Sequence, residues 1–119
     1  SHVPLHCTAS GKLFLAQMEP ARRDALIAQL LLTRMTGTTL TTAKALREEC
    51  AQIAGQGYSC DREEFIAGLI AVAVPVHDRD GVVRAALAVH APSVRMSLDD
   101  ALAQLAALRT AAARMHVLM

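Results

Sequence analysis

The sequence predicts a single α+β domain in which helices flank an antiparallel β-sheet. Two observations carry this prediction. Helical periodicity of apolar residues dominates both ends of the chain, and two neighbouring runs rich in β-branched residues lie between them. The 119 residues are 53% apolar and 19% charged, which fits one folded globular domain over residues 1–119.

Three helices are predicted in the first half of the chain. The first covers residues 9–18, with Thr8 or Ser10 as its N-cap. The second begins at Pro20, because proline suits the first helical position, and runs to about Leu32. The third, AKALREECAQIAGQG (43–57), follows a threonine-rich connection.

The strands are predicted in the middle of the chain. A short strand, YSC (58–60), precedes an acidic turn, DREE (61–64). The runs LIAVAVPVHD (69–78) and VVRAALAVHA (82–91) are joined by the turn sequence DRDG, which predicts an antiparallel hairpin. Pro75 predicts an edge position or a bulge, because proline cannot donate to the ladder.

A closing helix is predicted from Leu98 to near the C-terminus. Ser97 and Asp100 have the spacing of a capping box. Three strands make a thin sheet for so much apolar helix surface. We therefore expect further strands, supplied by another part of the protein or by a partner chain.

Composition argues against several classes of function. Aromatic residues are only 3% of the chain and the net charge is +1, so this chain alone is a poor candidate for binding DNA or single-stranded nucleic acid. Its three cysteines (Cys7, Cys50 and Cys60) are odd in number and scattered, which favours a reducing, cytoplasmic setting. No signal-peptide pattern is found, and the longest apolar runs are too short to span a membrane.

The triplet Ser10-Gly11-Lys12 is reminiscent of a phosphate-binding loop, but its context argues against one. The loop motif needs a glycine where His6 stands and a hydroxyl where Leu13 stands. A helix that begins here still directs free N–H groups outward, and these can hold a small anion such as a carboxylate. Lys12 could steer such an anion, but a lysine on a helix surface is more often solvated, and we expect that here.

Three segments together resemble a known family. HVPLHCTASGKLFLA (2–16), LTTAKALREECAQI (40–53) and GYSCDREEFIAGLIAVAVPVHDRDGVVRAALAVHAPSVRM (57–96) are similar to the C-terminal effector-binding domain of IclR-type transcriptional regulators. The resemblance implies a GAF-like domain that senses a small metabolite, without catalysis or a cofactor. It also implies a homodimer or tetramer, and DNA binding through a separate N-terminal winged helix-turn-helix domain.

Domains of this family normally begin with a helix and several strands before the PLH segment. We therefore interpret residues 1–119 as the C-terminal portion of such a domain, with its first strands and the DNA-binding domain absent from this chain.

The resemblance also implies a set of effector-binding residues. The backbone N–H groups of Ala9 and Ser10 would bind the effector's carboxylate, and Asp61 would accept from a hydroxyl or a hydrated carbonyl. The remaining implied pocket residues lie on the two hairpin strands: Leu69, Ala71, Ala88 and His90. Residues two apart on a strand share a face, so Ala88 and His90 are expected to point into the same cavity.

The residues at two of these positions bear on the class of effector. Relatives that bind small oxo-acids can present hydroxyls on the last hairpin strand, whereas Ala88 has no donor and His90 is larger and can be charged. Ala71 and Ala88 leave apolar room, which favours a carboxylate with an apolar or aromatic body.

Other interpretations remain open. Asp61 fits a turn residue bonded to nearby N–H groups, and His90 fits a core histidine. Cys7, Cys60 and His90 could meet at a metal, although no metal-ligand spacing is present. The domain as a whole could serve only assembly, with a vestigial pocket. It could also be a small enzyme, although no nucleophile–base pair is apparent.

Overall fold

A three-stranded antiparallel sheet with helices on both faces forms the fold, so the predicted α+β class is confirmed. The computed structural model describes residues 4–117, and positions 2 and 3 of the first family-like segment lie outside them. The sheet order is β1-β2-β3. The elements in chain order are α1 (Ala9–Ala16), α2 (Pro20–Gln29), α3 (Ala43–Gln56), β1 (Ser59–Arg62), β2 (Leu69–His77), β3 (Val83–Pro92), α4 (Leu98–Leu102) and α5 (Leu105–Val117).

The central strand β2 is buried on both faces, and its alternation divides the core in two. Ala71 and Ala73 pack with Leu13 in the cluster that includes α1 and α3; we call this side of the sheet the α1 face. Val72 and Val74 pack with the apolar side of α5 on the opposite side, the α5 face. Small residues on the α1 face let α1 lie close to the sheet, and α1 contacts all three strands.

The predicted helices begin at the expected residues, but several of them end earlier than predicted. Thr8 is the N-cap of α1, and its side chain accepts from the N–H of Gly11. Helix α1 ends at Ala16, two residues earlier than predicted, with Gln17 as its C-cap. Glu19 has a non-helical backbone, as expected for the residue before a proline. The carboxylate of Glu19 instead caps α2, which sequence reasoning missed.

The predicted closing helix is divided into α4 and α5. Ser97 and Asp100 form the predicted capping box at the start of α4, with both reciprocal bonds present. Helix α4 ends at Leu102 after five residues, and α5 then begins at Leu105. The prediction of one continuous helix was therefore wrong, although its start was correct. Helix α2 likewise ends at Gln29 rather than Leu32, because Leu30 adopts an extended conformation.

Pro75 lies in the middle strand of the sheet, but at Pro75 this strand is paired on one side only, as at a sheet edge. Strand β1 pairs only with residues 70–73 of β2. At Pro75 the strand therefore has a ladder partner only on the β3 side, where Ala86 lies opposite. The missing N–H costs no bond to β1, because β1 begins at Ser59, opposite Ala73.

Within residues 4–117, β3 pairs with β2 alone, so the other edge of this ten-residue strand has no partner strand. Its residues are half-buried or exposed, whereas those of β2 are mostly buried. An unpaired edge of this length is the place where the additional strands expected from the sequence would pair.

Candidate functional site

Three residues from three strands form one rung across the sheet, and two of them carry titratable side chains. Asp61 of β1 pairs with Ala71 of β2, and Ala71 pairs with His90 of β3. Paired residues in antiparallel strands project to the same side. Because Ala71 belongs to the α1 face, Asp61 and His90 flank an alanine on the side of the sheet that α1 covers.

The N-terminus of α1 carries unused backbone donors, and its first residue, Ala9, packs in the same core cluster as Ala71. Thr8 Oγ1 accepts from the N–H of Gly11 at 3.0 Å and donates to the carbonyl of Pro4 at 2.9 Å. The N–H groups of Ala9 and Ser10 have no acceptor among residues 4–117. Orphan donors of this kind at a helix N-terminus favour an anion.

Gly11 allows the chain to fold tightly at this point. A Cβ there would lie 2.6 Å from the carbonyl oxygen of Pro4 and 2.8 Å from the Cα of Leu5. The glycine therefore permits the segment before α1 to pass directly against the first turn.

Asp61 is buried, and its two carboxylate oxygens differ in their partners. Oδ1 accepts from the N–H of Glu64 at 2.7 Å, while Oδ2 has no hydrogen-bond donor in the described part of the chain. Burial raises the pKa of Asp61 above its usual range, and the negative charge of Glu64 adds to this; the bond from the Glu64 N–H, Lys12 and His90 oppose it. One oxygen of the Asp61 carboxyl group thus stabilises the turn, and the other remains available to accept a hydrogen bond.

Lys12 is fully buried, so the prediction of a solvated surface lysine was wrong. Its Nζ donates to Glu49 Oε2 at 2.7 Å, to both carboxylate oxygens of Glu64 at 2.8 and 2.9 Å, and to the carbonyl of Cys60 at 2.6 Å. Three acceptors from α3, β1 and the acidic turn satisfy the ammonium group and offset its desolvation. Lys12 is committed to these partners, and His90 is the one basic side chain of the Asp61–Ala71–His90 rung.

The other predicted site residues lie on the α1 face and differ in their exposure. Leu69 is half-buried at the start of β2, opposite Pro92. Ala88 is half-buried opposite Ala73, and His90 is exposed rather than directed into a closed pocket. The candidate site is therefore open on the side of β3.

Two clefts occur elsewhere, and none of the seven predicted residues lines them. One, of about 630 Å³, lies between α5 and the end of β2 and includes His77, Arg109 and His116. The other, of about 560 Å³, lies between residues 4–6 and 30–35.

The geometry argues against two of the alternatives. Cys60 packs on the α5 face while His90 lies on the α1 face, so these two side chains cannot share a metal. Residues 4–117 contain no group of three histidine, cysteine or acidic side chains arranged to hold a metal ion. Burial raises the pKa of the Cys7 thiol to about 11, aided by Asp61 and Glu64, which suits a structural thiol rather than a nucleophile. In the described part of the chain, no helix is long and apolar enough to cross a membrane.

Comparison with known proteins agrees with this architecture. Residues 1–117 match the family model described as bacterial transcriptional regulator IclR C-terminal. The chain is 43% identical over 115 residues to the probable transcriptional regulator SauR of Cupriavidus necator, covering 97% of this chain and 46% of SauR. It thus spans less than half the length of that relative.

Two solved structures are also similar. The C-terminal domain of the Escherichia coli transcriptional regulator KdgR is 37% identical with a TM-score of 0.87, over 96% of this chain and 70% of that one. The inducer-binding domain of the transcription factor PobR from Acinetobacter, a double mutant in complex with 3-hydroxybenzoic acid, is 28% identical with a TM-score of 0.93, over 98% and 67%.

Proposed function

The chain belongs to the IclR family of bacterial transcriptional regulators, matching its C-terminal domain, and from this premise we propose that it senses a small carboxylic acid. The relatives are transcriptional regulators, so the proposal includes regulation without catalysis. The observation that carries it is the Asp61–Ala71–His90 rung on the face that α1 covers, together with the unused N–H donors at the N-terminus of α1.

The chemistry of the proposed site favours an acid that also carries a hydroxyl or hydrated carbonyl. The N–H groups of Ala9 and Ser10 would bind its carboxylate, and the free oxygen of Asp61 would accept from its hydroxyl. Exposed His90 would add a positive charge when protonated. Leu69, Ala71 and Ala88 would contact an apolar or aromatic body.

Regulation would follow from differential binding. An effector that joins α1 to the rung favours the packing in which both surfaces are aligned. We propose that this bias reaches a separate N-terminal winged helix-turn-helix domain through the geometry of a dimer or tetramer, in a cytoplasmic protein. The change in the free energy of DNA binding cannot exceed the difference between the effector's binding free energies for the two packings.

Thermal unfolding against a panel of carboxylic acids tests the proposal. The panel contains 3-hydroxybenzoate, benzoate and short hydroxy- and oxo-acids, with ATP–Mg²⁺ and zinc as controls. An acid at about a hundred times its Kd adds roughly 2.7 kcal/mol to the stability of the folded state. His90→Ala and Asp61→Asn should reduce the shift, while His77→Ala, on an exposed histidine outside the rung, should leave it unchanged. Equal shifts in all four proteins would refute the assignment of the site.

A second candidate function is assembly alone, and the unpaired edge of β3 favours it. An exposed strand edge is a template for pairing with another chain. Sedimentation velocity on the 119-residue chain separates the two functions. Concentration-dependent association without a response to any acid would favour assembly.

A further inference from the structure

Three threonines of the α2–α3 connection donate hydrogen bonds to the acidic turn. We call them the threonine clasp: Thr36, Thr38 and Thr39. Thr36 Oγ1 donates to the carbonyl of Glu63 at 2.6 Å, and Thr38 Oγ1 approaches the same oxygen at 2.8 Å. Thr39 Oγ1 donates to the carbonyl of Glu64 at 2.6 Å. Residues about 25 positions apart in sequence are thereby joined through side-chain hydroxyls.

Thr36 and Thr38 of the clasp bind the peptide group whose N–H donates to Asp61. The carbonyl of Glu63 and the N–H of Glu64 belong to one peptide group. Hydroxyls bind its oxygen, and its N–H donates to Asp61 Oδ1 at 2.7 Å. Hydrogen bonds in such a chain polarise one another, so the threonine hydroxyls strengthen the bond to the carboxylate and fix the direction of the N–H.

The turn requires support from outside because its backbone is strained. Glu63 has a φ of 58°, and residues 4–117 contain no other non-glycine residue with a positive φ. This conformation costs about 1–2 kcal/mol for a residue with a Cβ. A reversed peptide group after Glu63 would point the Glu64 N–H away from Asp61 and release its carboxylate.

The threonine clasp is itself held in place by further hydrogen bonds. Thr39 is buried, and its Oγ1 accepts from the N–H groups of Met35 and Thr36 at 3.0 and 2.9 Å while donating to Glu64. Thr38 has a second acceptor at 2.9 Å in the carbonyl of Arg62, so its single proton is shared. Thr36 is therefore the main donor to the peptide group.

We propose that the threonine clasp positions Asp61 for ligand binding by fixing the peptide group that occupies its Oδ1 and leaving Oδ2 free. The threonines are positioning residues, since they bond to the turn and not to Asp61 itself. Only the consequence for effector affinity depends on the proposed function; the positioning of the carboxylate does not.

NMR of the 119-residue chain tests the positioning without any ligand. In Thr36→Val/Thr38→Val, the Glu64 amide should exchange with solvent roughly fivefold to tenfold faster, the factor that one net hydrogen bond supports. The Asp61 carboxyl should titrate at higher pH, because the bond from Glu64 N–H opposes the effects of burial and of the Glu64 charge. Thr36→Ser/Thr38→Ser should restore both values.

The control is Thr41→Val, since Thr41 lies in the same connection but bonds to Arg34 rather than to the acidic turn. Should the valine pair prevent folding, Thr38→Val alone, at an exposed position, carries the same test with a smaller expected change. Unchanged Glu64 exchange and Asp61 titration in the folded variant would overturn the proposal.

A second experiment measures ligand binding, with 3-hydroxybenzoate and the other acids of the panel as probes. Where an acid stabilises the wild type, its Kd should rise about tenfold in the valine variant and recover in the serine variant. A failure of every acid to bind the wild type would refute the proposed function, and the NMR result would still decide the role of the clasp. If the valine variant showed faster Glu64 amide exchange but bound the acid with unchanged Kd, the claim that the threonine clasp supports ligand binding would be refuted.

Discussion

Removal of the buried ammonium group of Lys12 should destabilise the domain severely. In Lys12→Met, the carboxylate of Glu64 stays buried and keeps only the N–H of Arg62 as a donor. Glu49 is partly exposed and has the Arg62 guanidinium at 3.8 Å, so its loss of a partner costs less. Breaking a buried ion pair from one side costs about 3–5 kcal/mol, and we expect a loss in that range.

Urea unfolding measures this loss as a lower midpoint at constant slope. Lys44→Met is the matched control, because Lys44 forms an exposed pair with Glu48 at 3.9 Å and should change stability by no more than about 0.5 kcal/mol. The double variant Lys12→Met/Glu64→Gln removes both charges while keeping an acceptor for Arg62. It should be more stable than Lys12→Met by about 0.5–3 kcal/mol. A loss below about 1 kcal/mol in Lys12→Met would refute the view that this cluster joins α1, α3 and the acidic turn.

Two further predictions concern the glycines and the carboxyl group. Gly11→Ala should cost about 1–3 kcal/mol because its Cβ has no room, whereas Gly55→Ala, in open space within α3, should stabilise by roughly 0.5–1 kcal/mol. Thermal unfolding of both variants checks this, and equal effects would contradict it. Because the pKa of Asp61 is raised in the folded state, the unfolded state releases this proton first and stability falls as pH rises. Asp61→Asn should therefore gain stability relative to wild type as the pH rises above about 4, the ordinary pKa of an aspartate, and a gain that shrinks with rising pH would contradict this reasoning.

Local signals in the sequence predicted several helix starts and the hairpin turn correctly, although the closing helix proved to be two helices. Thr8 and the Ser97–Asp100 pair cap the helices that they were expected to cap, and the DRDG turn joins the two long strands. These signals are reliable because capping and turn bonds involve residues only a few positions apart, so their chemistry is visible in a short window.

The family resemblance also predicted site residues that lie on all three strands of the sheet. Ala71 and His90 do lie on one face, in register with Asp61, but the register itself came only from the strand pairing. His90 is exposed at the open side of β3, and a side chain's exposure depends on which elements cover it rather than on its neighbours in sequence.

By itself, therefore, the sequence determined the α+β class, the caps and turns, and membership of a regulator family. Only the tertiary structure decided the surroundings of the charged and hydroxyl groups. A lysine in a helix is ordinarily solvated because burying its charge is costly. Lys12 is an exception because Glu49 and Glu64, 37 and 52 residues away, meet it in the core. The threonine clasp has the same origin: hydroxyls distribute their bonds according to which carbonyls the fold brings within reach, and no local pattern specifies that choice.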